Sequence, residues 1–165
     1  MSRAVLSIGS NLGDRLANLQ SAATAFSPYL VGVSPVYRTP PWGPVEQEDY
    51  LNAVLIVAEE GAAPIQWLQR ANAAEASAGR TRDTRWGPRS LDVDVITLDE
   101  QISDDPALTL PHPRAAERAF VLVPWLVLEP GATLPGLGSV ASLLAAIPIA
   151  EVEQIVLMPE AVLHR

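Results

Sequence analysis

Leu30-Val31-Gly32-Val33-Ser34-Pro35-Val36-Tyr37-Arg38 alternates and is rich in valine, Thr39-Pro40-Pro41-Trp42-Gly43-Pro44 interrupts any regular structure, and Asn52 to Ala58 is again apolar. Such runs, bounded by proline and glycine, read as two strands flanking a proline-stiffened loop. On the N-terminal side, Ala4 to Ile8 is a short apolar strand ending at the turn cluster Gly9-Ser10-Asn11. Leu12, Leu16, Leu19, Ala22, Ala23 and Phe26 then recur at helical spacing. On the C-terminal side, Pro64 suits the first position of a helix through Ile65, Leu68, Ala71 and Ala78, with Gly79 as its terminator, and Leu91 to Leu98 alternates as a further strand. The order β-α-β-β-α-β predicts an α+β domain: a ferredoxin-like core with an antiparallel sheet and helices on one face. Beyond it lie an acidic loop with Asp99, Glu100, Asp104 and Asp105, a helix over 115–128, and a last third of Gly/Pro turns with a short helix and a strand over 151–157.

The chain of 165 residues is the size of one ordinary domain, and its 48% apolar content is that of a globular protein. A single domain over 1–165 is expected. No stretch reaches the roughly 18 apolar residues of a membrane span. Asp14 and Arg15 also arrive before a signal-like segment could finish, so a cytoplasmic, unprocessed protein is expected. With no cysteine, disulfides and thiolate metal sites are excluded, and a metal would be held by oxygen or imidazole. A net charge of −8 argues against a nucleic-acid coat, whose affinity comes from neutralising phosphates. The positive charge is local: every basic side chain is arginine, and Arg80, Arg82, Arg85 and Arg89 fall within ten residues. Lacking lysine, the chain can use neither a P-loop nor a protein-kinase phosphate clamp, so phosphate chemistry would run on arginine and metal.

The strongest constellation is Arg85-Trp86-Gly87-Pro88-Arg89-Ser90-Leu91-Asp92-Val93-Asp94-Val95-Ile96. On a strand, residues two apart share a face about 6.6 Å apart, so Asp92 and Asp94 project together while Leu91, Val93 and Val95 face the core. Two converging carboxylates repel unless a divalent cation lies between them, and a pair of such ions, roughly 3.5 to 4 Å apart, can hold both ends of an in-line displacement. Alone, the pattern also suits a solvated strand face. The arginines immediately upstream add bidentate donors for phosphate oxygens, next to the metal clamp. Tyr50, Trp42, Trp86 and Phe120 fall in loops or element ends, where aromatic faces can stack on a flat ring or simply pack. His112, between prolines and near Arg114 and Arg118, suits a phosphate donor and a structural histidine equally.

Three motifs in order resemble the 6-hydroxymethyl-7,8-dihydropterin pyrophosphokinases. They are the Arg85–Ile96 segment, the opening Ile8-Gly9-Ser10-Asn11-Leu12-Gly13-Asp14, and Tyr37-Arg38-Thr39-Pro40-Pro41-Trp42-Gly43 followed by Tyr50-Leu51-Asn52-Ala53; Leu110-Pro111-His112-Pro113 with Arg118-Ala119-Phe120 adds a weaker fourth. The resemblance implies transfer of the β,γ-pyrophosphoryl unit of ATP to the pterin hydroxymethyl oxygen, releasing AMP, in folate biosynthesis, with two magnesium ions and no nucleic-acid or membrane partner, by a monomer. It implies further that Asp92 and Asp94 bind both magnesium ions and that Arg80 and Arg89 stabilise the transferring group. Asn72, Glu75, Arg82, Trp86, Arg89, Val95, Thr109, His112 and Arg118 would line the nucleotide, and Thr39, Pro40, Trp42, Tyr50, Asn52, Trp86 and Phe120 the pterin. Glu75 also suits a helix-surface charge. The chain departs from the family pattern at Asn72, Ala107, Pro113 and Trp42, and its loop over 80–86 looks one residue shorter than in some relatives. Asp-x-Asp with arginines would equally suit another two-metal nucleotidyl-transfer enzyme, and a pterin or nucleotide sensor without catalysis would use the same pocket.

Overall fold

In the computed structural model, which describes residues 1–41, 43–79 and 90–165, the first strand explains the layering. β1 (Ser2–Ser10) shows no polar alternation because both its faces are covered: Ala4, Leu6 and Ile8 pack into one apolar layer and Val5 into another. α1 (Arg15–Phe26) starts where the Asp14 carboxylate accepts from the Ala17 amide at 3.0 Å, an N-cap that satisfies one orphan donor of the first turn. It buries Leu19, Ala22, Ala23 and Phe26 against the first layer.

The segment 30–38 forms two strands, β2 (Leu30–Val33) and β3 (Tyr37–Thr39), where the sequence predicts one. Pro35 has no N–H with which to continue the ladder, and before it Ser34 makes both ends of its contact with β4, using its hydroxyl as the acceptor. The Ser34 amide donates to the Val54 carbonyl, and its hydroxyl oxygen accepts from the Val54 amide at 2.8 Å. Both strands pair antiparallel with β4 (Tyr50–Glu59). α2 (Pro64–Ser77) has proline in its first turn, buries Trp67, Ala71, Ala74 and Glu75, and is followed by Gly79 at φ +71°, a left-handed conformation that suits glycine. β5 (Asp92–Leu98) pairs antiparallel with β1, and a bulge opposite Val5 and Leu6 lets Val95 and Leu98, three apart, share the first layer.

The sheet order β5-β1-β4, with β2 and β3 beyond β4, is that of the ferredoxin-like βαββαβ core. Its two helices, α1 and α2, pack on the first face as the sequence predicts, and a further helix covers the second. α3 (Ala119–Leu128), preceded by a 3₁₀ turn over Ala115–Glu117, packs Val121, Leu122 and Trp125 on the second face with Val5, Val54, Ile56 and Ile96. Burial on both sides of a central strand leaves no alternation from which to choose a helix face. A two-stranded ribbon, β6 (Thr133–Leu134) and β7 (Gly138–Ser139), leads to α4 (Val140–Ala145), whose Val140 joins that second layer. Of the strand expected over 151–157, Glu151 and Val152 close a turn of helix, α5 (Ile149–Val152), begun by Pro148, a turn follows, and only β8 (Val156–Leu157) is extended, paired with β3. Among the described residues, no helix is long and apolar enough to cross a membrane.

Candidate active site

Where α3 ends its cover of the second face, the sheet forms the floor of a cavity of about 390 Å³. Antiparallel register sets the floor in two rows. Asp92 lies opposite Gly9 and Gly9 opposite Asn52; Asp94 lies opposite Ser7 and Ser7 opposite Val54. Asp92 and Asp94 are half-buried and both line the cavity, as their spacing on a strand predicts. Gly9 lies within β1 rather than in a turn, and its missing side chain matters: a Cβ there would stand 2.9 Å from Asn52 Oδ1 and 3.3 Å from the Tyr50 ring.

Asn52 is 3% exposed, and its Nδ2 donates to Thr39 Oγ1 at 2.7 Å across the β3–β4 pair, which turns Oδ1 toward Gly9 as an acceptor. Tyr50, at the start of β4, and Phe120, in the first turn of α3, give the cavity its aromatic lining, with Pro40 and Thr39 beside them. Such an acceptor amid aromatic and apolar walls suits a flat, donor-edged heterocycle.

The opposite wall is cationic. The His112 amide donates to the Ile96 carbonyl at 2.8 Å, fixing the 110–118 segment beside β5. His112 Nδ1 accepts from the Arg114 amide at 3.2 Å, so the neutral ring carries its proton on Nε2. Burial first, then the positive charges of Arg118 and Arg114, push the imidazole down to about 4, and at neutral pH it is an uncharged donor. Arg118 Nη1 stands 3.5 Å from Asp94 Oδ2, and the same guanidinium lies 5.6 Å from the Phe120 ring centroid, so one side chain spans the carboxylate and aromatic parts of the cavity.

Of the expected pterin-side residues, Thr39, Pro40, Tyr50, Asn52 and Phe120 share this cavity. Of the nucleotide-side residues, His112 and Arg118 line it. Asn72 is exposed on α2, and Glu75 is buried against β5, where its Oε1 accepts from the Val93 amide at 2.9 Å, so it is not a surface charge. Val95 packs in the first apolar layer, and the Thr109 hydroxyl donates to the Asp105 carbonyl at 3.1 Å; neither lines the cavity. Trp42, Arg80, Arg82, Trp86 and Arg89 lie outside the described residues. Ser7, Gly9, Gln47, Arg114 and Glu117 line the cavity unanticipated. Gln47 had a signal in its proximity to Tyr50, but its placement depends on Asn11, whose Nδ2 donates to Gln47 Oε1 at 2.7 Å and to the Glu48 carbonyl at 3.1 Å.

Asp92 and Asp94 offer hard oxygen donors that fit a divalent cation such as magnesium. Among the described residues no third His, Asp or Glu completes a cage, a donor set suited to magnesium, which retains waters and takes phosphate oxygens as ligands.

A family model described as 7,8-dihydro-6-hydroxymethylpterin-pyrophosphokinase matches residues 5–130. The 2-amino-4-hydroxy-6-hydroxymethyldihydropteridine pyrophosphokinase of Mycobacterium tuberculosis (strain ATCC 25618 / H37Rv) is 50% identical over 143 residues, covering 81% of this chain and 76% of that protein. The protein of the same name from Pseudomonas aeruginosa is 39% identical over 157 residues, 93% of this chain and 96% of that one. Among solved structures, wild-type Plasmodium falciparum HPPK-DHPS with pteroate superposes with a TM-score of 0.67 at 11% identity, over 87% of this chain. The match spans only 44% of that longer chain and supports the fold alone. With its fold, its carboxylate pair and its matched residues in agreement, the chain belongs to the 7,8-dihydro-6-hydroxymethylpterin-pyrophosphokinase family.

Proposed function

We propose that this chain transfers the β,γ-pyrophosphoryl unit of ATP to the hydroxymethyl oxygen of 6-hydroxymethyl-7,8-dihydropterin, releasing AMP, as a step of folate biosynthesis. The observation that carries this reading is the meeting, in one cavity, of the Asp92–Asp94 pair with Asn52, Tyr50 and Phe120. A phosphate-handling end and a heterocycle-handling end lie side by side on one sheet face.

Asn52 Oδ1, fixed by Thr39, accepts from the pterin edge, and the Tyr50 and Phe120 rings stack on its faces beside Pro40; the family resemblance adds Trp42 and Trp86 to the pterin contacts. Asp92 and Asp94 would hold two magnesium ions, which would supply neutralisation of phosphate charge. His112 donates from Nε2 and Arg118 from its guanidinium to the triphosphate, while Arg80 and Arg89 stabilise the group in transfer. Asn72, Glu75, Arg82, Trp86, Val95 and Thr109 complete the nucleotide side. Of these, the buried Val95 would act through its backbone, and Glu75 would have to share its carboxylate with the Val93 amide. Catalysis is positioning and charge neutralisation, with no covalent intermediate. The protein acts as a cytoplasmic monomer of one domain.

Phosphorus NMR of the purified protein with MgATP and the pterin tests the reaction. Pterin diphosphate and AMP are expected from the wild type and neither from Asp94→Ala. ADP would instead mean ordinary phosphoryl transfer, and tight pterin binding without turnover would mean a sensor.

A further inference from the structure

β1 is a central strand whose neighbours Ala4, Val5, Leu6 and Ile8 are fully buried, yet Ser7 stands among them at 6% exposure. A hydroxyl in such a position is ordinarily paired, because an unpaired one in an apolar setting is costly. No hydrogen bond joins the Ser7 hydroxyl to any other described residue; the residue lines the cavity instead. Its neighbour across the ladder toward β4 is Val54, which has nothing to offer it. Toward β5 its neighbour is Asp94, directly opposite in register. Side chains directly opposite on one face of an antiparallel pair have Cβ atoms about 4.5 to 5.5 Å apart, within reach of a hydroxyl-to-carboxylate hydrogen bond.

The Asp94 carboxylate faces Arg118, 3.5 Å away. Bound phosphates would compete for that guanidinium, and a carboxylate that ligates a cation keeps its aim through hydrogen bonds to its other lone pairs. From this we infer that Ser7 is a positioning residue for the cation site: when phosphate draws Arg118 away, the Ser7 hydroxyl donates to the Asp94 carboxylate and holds it aimed across the floor toward Asp92. The inference rests on the reading of Asp92 and Asp94 as cation-holding carboxylates.

The test is Mn²⁺ binding, followed by electron paramagnetic resonance in the presence of a non-transferable ATP analogue, with thermal melting of the ligand-free protein alongside. Ser7→Ala should weaken Mn²⁺ binding by about tenfold, the scale of a hydrogen bond to a charged group. Having no hydrogen bond to another described residue to lose, the same variant should melt no lower than wild type. Ser7→Thr, which keeps the hydroxyl and suits a strand, should retain wild-type Mn²⁺ affinity. Unchanged Mn²⁺ affinity in Ser7→Ala would overturn the inference while leaving the cation site intact. So would equal weakening of analogue binding in EDTA, which would make Ser7 a phosphate contact, and so would a melting temperature several degrees lower. Absence of Mn²⁺ binding by the wild type would overturn the carboxylate reading, and this inference with it.

Discussion

Gly9 shows how much one missing side chain decides. Its Cβ would press on Asn52 Oδ1 and the Tyr50 ring, so Gly9→Ala should weaken pterin binding by at least about tenfold, since a displaced Asn52 leaves the ligand's buried donor unpaired; fluorescence titration with the pterin checks it. The residue was legible only as part of a turn cluster, because Gly9-Ser10-Asn11 carries the composition of a turn while the strand runs on through Ser10. Asp92 and Asp94, by contrast, were legible outright, since strand periodicity places their side chains whatever the tertiary context. At His112 the prediction concerns pH. Its folded value, lowered to about 4 from 6.5, means the unfolded chain binds the extra proton between those values, so folding stability rises with pH across that window and is lost as pH falls through it. Replacing His112 with glutamine should flatten this part of the stability profile, measured by denaturant unfolding at pH 7, 6, 5 and 4.

Between elements, two tethers set the site's walls. α2 is tied to β5 by the buried Glu75 carboxylate accepting from the Val93 amide, one residue from each of Asp92 and Asp94. Glu75→Ala should therefore cost about 1 to 3 kcal/mol by orphaning a buried donor, and Glu75→Gln, which keeps an acceptor, distinctly less; urea unfolding separates them. The β1–α1 junction is tied to the 43–49 segment by Asn11 and by Arg15, whose Nη1 donates to the Asp49 carbonyl at 2.8 Å. Asn11→Ala should raise KM for the pterin several-fold with a smaller change in kcat, in steady-state assays, because Gln47 loses its Asn11 contact at the cavity edge while the phosphate end is untouched. Neither tether was legible, as each joins residues far apart in sequence through one polar contact. The break between β2 and β3 was hidden differently: alternation persists through Ser34-Pro35-Val36, with Pro35 as its one sequence sign, and the hydroxyl of Ser34 patches the ladder there.

At the scale of the whole molecule, the βαββαβ order was readable because each element has its own period and its own punctuation. Placement of α3 was not, because its apolar sequence says that it packs but not on which face. The consecutive apolar residues Ala4, Val5 and Leu6 in β1 were the available clue, since a strand covered on one side alternates. With α3 on the second face, its first turn delivers Arg118 and Phe120 to the cavity, so the layer that completes the core also completes the site. The C-terminal segment has a different consequence. β3 carries Thr39, which orients Asn52, and without β8 its outer backbone would be an open template for strand addition by another copy. At two residues, β8 satisfies that template while offering almost none of its own. Removing residues 155–165 should accordingly produce concentration-dependent self-association in sedimentation velocity, with copies competing for the very strand that orients Asn52.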